Sequence, residues 1–128
     1  VVAYQTDPFP SDSDLDALWR RAWNAPLGRW YQPILERGLG HIAAYEGDLL
    51  VGFVNIAWDG GVHAFVLDTC THIDFQRRGI ATHLVQYAAD LAREPGAEWL
   101  HVDYEPHLEN LYRACGFRHS AAGVMKLS

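Results

Sequence analysis

Three observations predict an α/β (α+β) fold for this chain of 128 residues. Strand-like and helix-like runs alternate as strand, helices, three strands, helix, strand, helix, strand, giving about six strands. A β-branched run, Val62 to Thr71, ends in a glycine turn that opens an amphipathic helix. Hydrophobic residues make up 49% and charged residues 20%, enough apolar material for a real core and too much for a disordered chain. Residues 1–128 read as a single domain without linker, repeat or low-complexity tract.

Val1 to Gln5 forms the first strand. Ser11, Asp12, Ser13 and Asp14 offer N-cap side chains to a helix whose apolar positions are Leu15, Leu18, Trp19 and Ala22. Pro26 ends it, and Pro33 sits early in a short second helix closed by Gly38. His41 to Tyr45 and Leu49 to Trp58 are strands joined by Glu46-Gly47-Asp48, a hairpin signal. Asp59-Gly60-Gly61 turns the chain into the strand Val62 to Thr71. Ile80, Ala81, Leu84, Val85, Ala88, Leu91 and Ala92 then recur at helical spacing, and Pro95-Gly96 stops that helix. Trp99 to Tyr104 is a further strand. Pro106 fits the first turn of a helix with the stripe Leu108, Leu111, Tyr112 and Cys115, ended by Gly116. His119 to Leu127 is expected as a last strand.

Composition excludes several classes. The net charge of −6 makes the chain a poor candidate for general nucleic-acid binding, which usually needs a basic face, and is compatible with a cationic amine ligand. No apolar run approaches the ~20 residues of a membrane helix. The first residue is valine, which leaves room for an upstream segment. With no signal peptide visible, a cytoplasmic location is the default. Two cysteines are too few for a disulfide framework, and both are expected to be buried thiols. The histidines are scattered without metal-ligand spacing, so no metal site is expected. The tryptophans Trp19, Trp23, Trp30, Trp58 and Trp99 read as core or pocket wall. No G-x-S-x-G elbow suggests serine hydrolysis.

The corner Asp74-Phe75-Gln76-Arg77-Arg78-Gly79-Ile80-Ala81-Thr82 carries the most chemistry. A glycine turn at a helix start gathers free N–H groups at the positive end of the helix dipole, which suits a phosphate or pyrophosphate. Gly79 lets an anion approach the backbone, and Arg77 and Arg78 add fork-shaped donors. It is neither a nucleotide phosphate loop nor a dinucleotide fingerprint. On these residues alone, a plain strand–turn–helix corner with two solvated arginines remains open.

Some thirty residues downstream stands Leu111-Tyr112-Arg113-Ala114-Cys115-Gly116-Phe117. Together, Gln76-Arg77-Arg78-Gly79-Ile80-Ala81 and this block resemble the Arg/Gln-x-x-Gly-x-Gly/Ala and Leu-Tyr-x-x-x-Gly-Phe motifs of the GCN5-related N-acetyltransferase superfamily. The resemblance runs from about Gly47 to the C-terminus. It implies a mixed central sheet of about six strands flanked by helices and splayed at the acyl-CoA site. Such chains usually carry another strand, and this one ends early; a free sheet edge there could support a homodimer. Ala81 replaces the commoner second glycine. Glu105 stands where many relatives carry asparagine.

The resemblance also implies a function: an acetyl-CoA-dependent N-acetyltransferase acting on a small-molecule or peptide amine by direct attack. Thr69, Cys70 and Thr71 would meet the pantetheine arm of acetyl-CoA. The N–H groups of Arg77, Arg78, Gly79, Ile80, Ala81 and Thr82 would hold its pyrophosphate. Tyr112 matches the family's general acid, against the alternative that its ring merely packs. Asp68 and His101 are candidate bases, and each also reads as an ordinary strand residue. Asp68 and Asp103 could instead attract a cationic acceptor. Two other functions stay open: a non-catalytic acyl-CoA-binding module, and acetylation of aminoacylated tRNA, which the acidic balance opposes.

Overall fold

The computed structural model describes residues 1–128. Its elements are β1 (Val2–Thr6), α1 (Asp12–Trp23), α2 (Gln32–Arg37), β2 (Gly40–Glu46), β3 (Leu49–Trp58), β4 (His63–Thr71), α3 (Ile80–Arg93), β5 (Trp99–His101) and α4 (Glu109–Ala114). The five strands form one sheet in chain order. β1 to β4 pair antiparallel and β5 adds parallel to β4, so the sheet is mixed.

The helices form where the sequence signals them. Ser11 caps α1, its hydroxyl accepting from the Asp14 N–H at 3.1 Å, and Asn24 closes the helix in a left-handed conformation. Leu15, Leu18 and Trp19, at helical spacing, turn one face of α1 to the sheet. They pack with Tyr31, Leu35, Phe53 and Cys70 on that side. On the opposite side Ile80, Leu84, Ala88 and Ala92 of α3 cover Val54, Ile56, Ala64 and Val66. The molecule is therefore a three-layer sandwich. Full burial of a side chain such as Leu84 contributes about 1.5–3 kcal/mol. Gly52 lets α3 start close to β3: a Cβ there would lie 2.9 Å from Ile80 Cγ2.

A bulge breaks the β3–β4 ladder. Phe53 pairs with Cys70 and Asn55 with Leu67, so Asp68 and Thr69 together stand opposite Val54. Asp68 adopts φ +59°.

Residues 118–128 form no strand, and Val124, Met125 and Leu127 are exposed. The sheet thus has five strands, without the sixth expected over His119 to Leu127. The segment's adjacent apolar residues Val124 and Met125 do not alternate as a half-buried strand requires, and β5, only three residues long, is a short template. No helix is long and apolar enough to cross a membrane.

Candidate active site

β4 and β5 are neighbours for only three pairs, His63 with Trp99, Ala64 with Leu100 and Phe65 with His101. β5 then ends while β4 runs on to Thr71. Beyond Phe65 the β4 edge that faced β5 has no strand beside it, which leaves its ladder groups open. Thr69, Cys70 and Thr71 lie along this opening. The hydroxyl oxygens of Thr69 and Thr71 are buried without hydrogen-bond partners. Cys70 is buried, and burial, then the neighbouring Asp68 charge, push its thiol pKa well up. It stays a thiol rather than a nucleophilic thiolate.

After β4 the chain makes a 3₁₀ turn at Ile73–Phe75 and reaches the corner before α3. Arg77 (φ +63°) and Gly79 (φ +80°) take left-handed conformations. The N–H groups of Gln76 to Gly79 enter no backbone hydrogen bond. Those of Ile80, Ala81 and Thr82 belong to the first turn of α3 and have no intrahelical acceptor. A Cβ on Gly79 would meet nothing nearer than His83 Cε1 at 4.0 Å, so the space over the corner is open. The two arginines differ. Arg78 is drawn back over the Phe75 ring (4.8 Å) and donates to the Asp74 carbonyl at 3.2 Å. Arg77 is exposed and is in no salt bridge. Ile80 contributes its backbone here, because its side chain is buried in the core.

α4 meets this corner through Cys115, whose Sγ lies 4.0 Å from the Thr82 carbonyl. Cys115, at the C-cap of α4, is half-buried rather than buried. Tyr112, one turn earlier, is buried with its ring stacked on Tyr104 (4.8 Å) and edge-on to Phe117 (5.6 Å). Its hydroxyl comes near that of Thr69 on the opening, but the geometry falls short of a hydrogen bond. Burial raises its pKa above the ordinary tyrosine value, with Cys115 and Asp103 adding to the rise and Thr69 opposing it. The ring therefore packs and the phenol also keeps its proton at neutral pH.

Asp68 is exposed at the bulge. Its Oδ2 accepts a hydrogen bond from the hydroxyl of Tyr31, a buried residue between α1 and α2. Burial and the Asp68 carboxylate together drive the Tyr31 pKa far above its ordinary value, so Tyr31 is the donor. His101 sits apart. It pairs with Phe65, three residues before Asp68, or roughly 10 Å along a strand. Its Nε2 is 2.9 Å from His63 Nδ1, and the Phe65 ring stacks on it at 4.8 Å. Tyr31 was missed by sequence reasoning; as an unremarkable aromatic before a short helix, it gives no local signal. No three His, Cys, Asp or Glu side chains converge as a metal site. A surface cleft of about 410 Å³ lined by Leu39, Trp58, Leu91, Glu94 and Pro95 adjoins the C-terminal end of α3, away from this chemistry.

Residues 3–117 match the acetyltransferase (GNAT) family. Solved structures share the fold. A GNAT-family acetyltransferase from Streptococcus pneumoniae TIGR4 superimposes with a TM-score of 0.84 at 22% identity, covering 100% of this chain and 98% of that one. A probable acetyltransferase from meticillin-resistant Staphylococcus aureus gives 0.84 at 18% identity, with 100% and 99% covered. AAC(6')-Iy, in complex with the bisubstrate analogue CoA-S-monomethyl-acetylneamine, gives 0.78 at 13% identity, with 100% and 98% covered. No curated protein matches the sequence.

Proposed function

The chain belongs to the acetyltransferase (GNAT) family, and on that premise we propose that it moves the acetyl group of acetyl-CoA directly onto a primary amine, of a small molecule or a peptide. It is an acyltransferase, and acetyl-CoA is its cosubstrate. One observation carries the finer reading. The open edge of β4, the free N–H groups before α3 and the hydroxyl of the buried Tyr112 converge on one corner.

The residues present fit the cosubstrate. The orphaned hydroxyls of Thr69 and Thr71 need partners, and the space over Gly79 is open to an anion. Thr69, Cys70 and Thr71 offer their free edge to the pantetheine arm, as an added strand. The N–H groups of Arg77, Arg78, Gly79, Ile80, Ala81 and Thr82 hold the pyrophosphate, with Arg77 adding charge. When bound, acetyl-CoA supplies an acetyl group activated as a thioester.

Direct attack by the amine is favoured because neither thiol suits an acyl-enzyme. Burial raises the pKa of both Cys70 and Cys115. Tyr112 holds its proton where the leaving thiolate needs one. Asp68 and Asp103 draw a cationic acceptor to the opening. Proton removal from the amine falls to Asp68 or, through solvent, to His101. AAC(6')-Iy, crystallised with an acetylneamine-derived analogue, supports an amine acceptor. A cytoplasmic setting goes with both cysteines being free. The outer edge of β5 carries no strand and offers a surface for a homodimer.

The test is thiol release from acetyl-CoA with and without a panel of small amines and peptides. Amine-dependent release with an N-acetylated product supports the reading. CoA binding without turnover on any amine would leave only a binding module. Turnover confined to aminoacylated tRNA would replace the acceptor class.

A further inference from the structure

Asp68 combines three features that an ordinary strand residue lacks. It stands in a bulge on the central strand. It holds φ +59°, a region few non-glycine residues occupy, although aspartate tolerates it better than most. Bulges and such backbone outliers gather at functional sites. Its carboxylate is exposed and forms no salt bridge within the protein. One oxygen, Oδ2, is taken by Tyr31, which leaves Oδ1 without a protein partner on an exposed residue.

The donor is held on several sides. The Tyr31 ring meets Trp19 and Phe53 edge-on, at centroid distances of 5.6 and 5.9 Å, and those two rings also touch each other at 5.8 Å. Its own N–H donates to Asp12 Oδ2 at 3.1 Å. The next residue, Gln32, donates through Nε2 to Asp12 Oδ1 and to the Pro10 carbonyl, both at 2.9 Å. A hydroxyl fixed in this way is preorganised. A core residue without a polar task would more simply be phenylalanine, since a buried hydroxyl must find a partner.

We propose that Tyr31 is a positioning residue for the acceptor: its hydroxyl fixes the Asp68 carboxylate so that the free oxygen receives an amine that binds as a cation. This rests on the reading of Asp68 as the group that draws the acceptor. Tyr31 touches neither the acceptor nor acetyl-CoA and acts through Asp68.

The test is a double-mutant cycle read as acceptor KM against kcat, with CoA affinity and melting temperature measured on every protein. Tyr31→Phe keeps the ring, and Asp68→Asn keeps the shape and can still accept from Tyr31. Asp68→Asn should raise the acceptor KM about tenfold, the scale of one charge-assisted hydrogen bond. Tyr31→Phe should raise it to the same order, and the double variant should be no worse than Asp68→Asn alone. CoA affinity should not move in any of them. A purely structural Tyr31 would lower the melting temperature and leave KM unchanged, and effects that add fully would likewise overturn the proposal. An unchanged KM in Asp68→Asn would instead sink the reading of Asp68 itself.

Discussion

Tyr112→Phe separates the two things Tyr112 does. Its ring is buried against Tyr104 and Phe117, and its hydroxyl has no well-formed hydrogen bond. Phenylalanine keeps the ring contacts. Removing a hydroxyl that lacks a firm partner strands nothing new, because the Thr69 hydroxyl is already unpartnered. The melting temperature should therefore hold or rise slightly. If the phenol delivers a proton to the departing sulfur, the loss falls on the transition state. General acids are worth about 10²–10⁴-fold, and the low end is expected because a CoA thiolate is a tolerable leaving group. A hundredfold fall in kcat corresponds to about 2.7 kcal/mol. The assay is steady-state turnover by thiol detection, alongside CoA calorimetry and thermal melting. Since burial raises the Tyr112 pKa, wild-type activity should also show no alkaline decline from this group until above pH ~10. Wild-type turnover in the variant would refute the proton-donor role, and a matching loss of CoA affinity would make Tyr112 a cofactor contact instead.

Three further outcomes are expected. Gly79→Glu puts a side chain and a negative charge into the open corner at φ +80°, so the thermal shift given by CoA in the wild type should vanish; calorimetry showing unchanged CoA affinity would remove the pyrophosphate site. His41 is fully buried, with Nε2 accepting from the Phe9 N–H at 2.9 Å and Nδ1 3.2 Å from Asp7, and burial lowers its pKa against the opposing pull of Asp7. The unfolded chain then binds the extra proton first, so stability is full above pH ~6.5 and falls below it, by at most ~1.4 kcal/mol per pH unit, until the folded pKa is passed. Urea midpoints across that range should show this fall in the wild type and a shallower one in His41→Gln; parallel curves would clear His41. Cys70 should resist a thiol reagent in the native protein, with Cys115 reacting first, and equal native rates would contradict the buried, raised-pKa thiol.

The parts of the fold written in short-range pattern were legible in the sequence. The stripe from Ile80 to Ala92 marked α3, Glu46-Gly47-Asp48 marked the first hairpin, and Ser11 to Asp14 marked the start of α1. What depends on distant pairing was not. Tyr31 and Asp68 are 37 residues apart and meet only because the bulge turns Asp68 toward the α1 side. The His63–His101 contact follows from a parallel register that no local motif encodes. His119 to Leu127 contained apolar residues, but strand formation needs a neighbouring edge as well as apolar content, and here none is paired to it.

Direct transfer at the splayed strands is tested most directly by following one turnover with labelled acetyl-CoA and a productive amine. Intact-protein mass spectrometry and product analysis are run on the same quenched samples. Free CoA and N-acetylated amine should rise together, one for one, while the protein mass stays that of the unmodified chain throughout. An acetylated protein that forms and decays at the turnover rate, or CoA released without acetylated amine, would contradict the account.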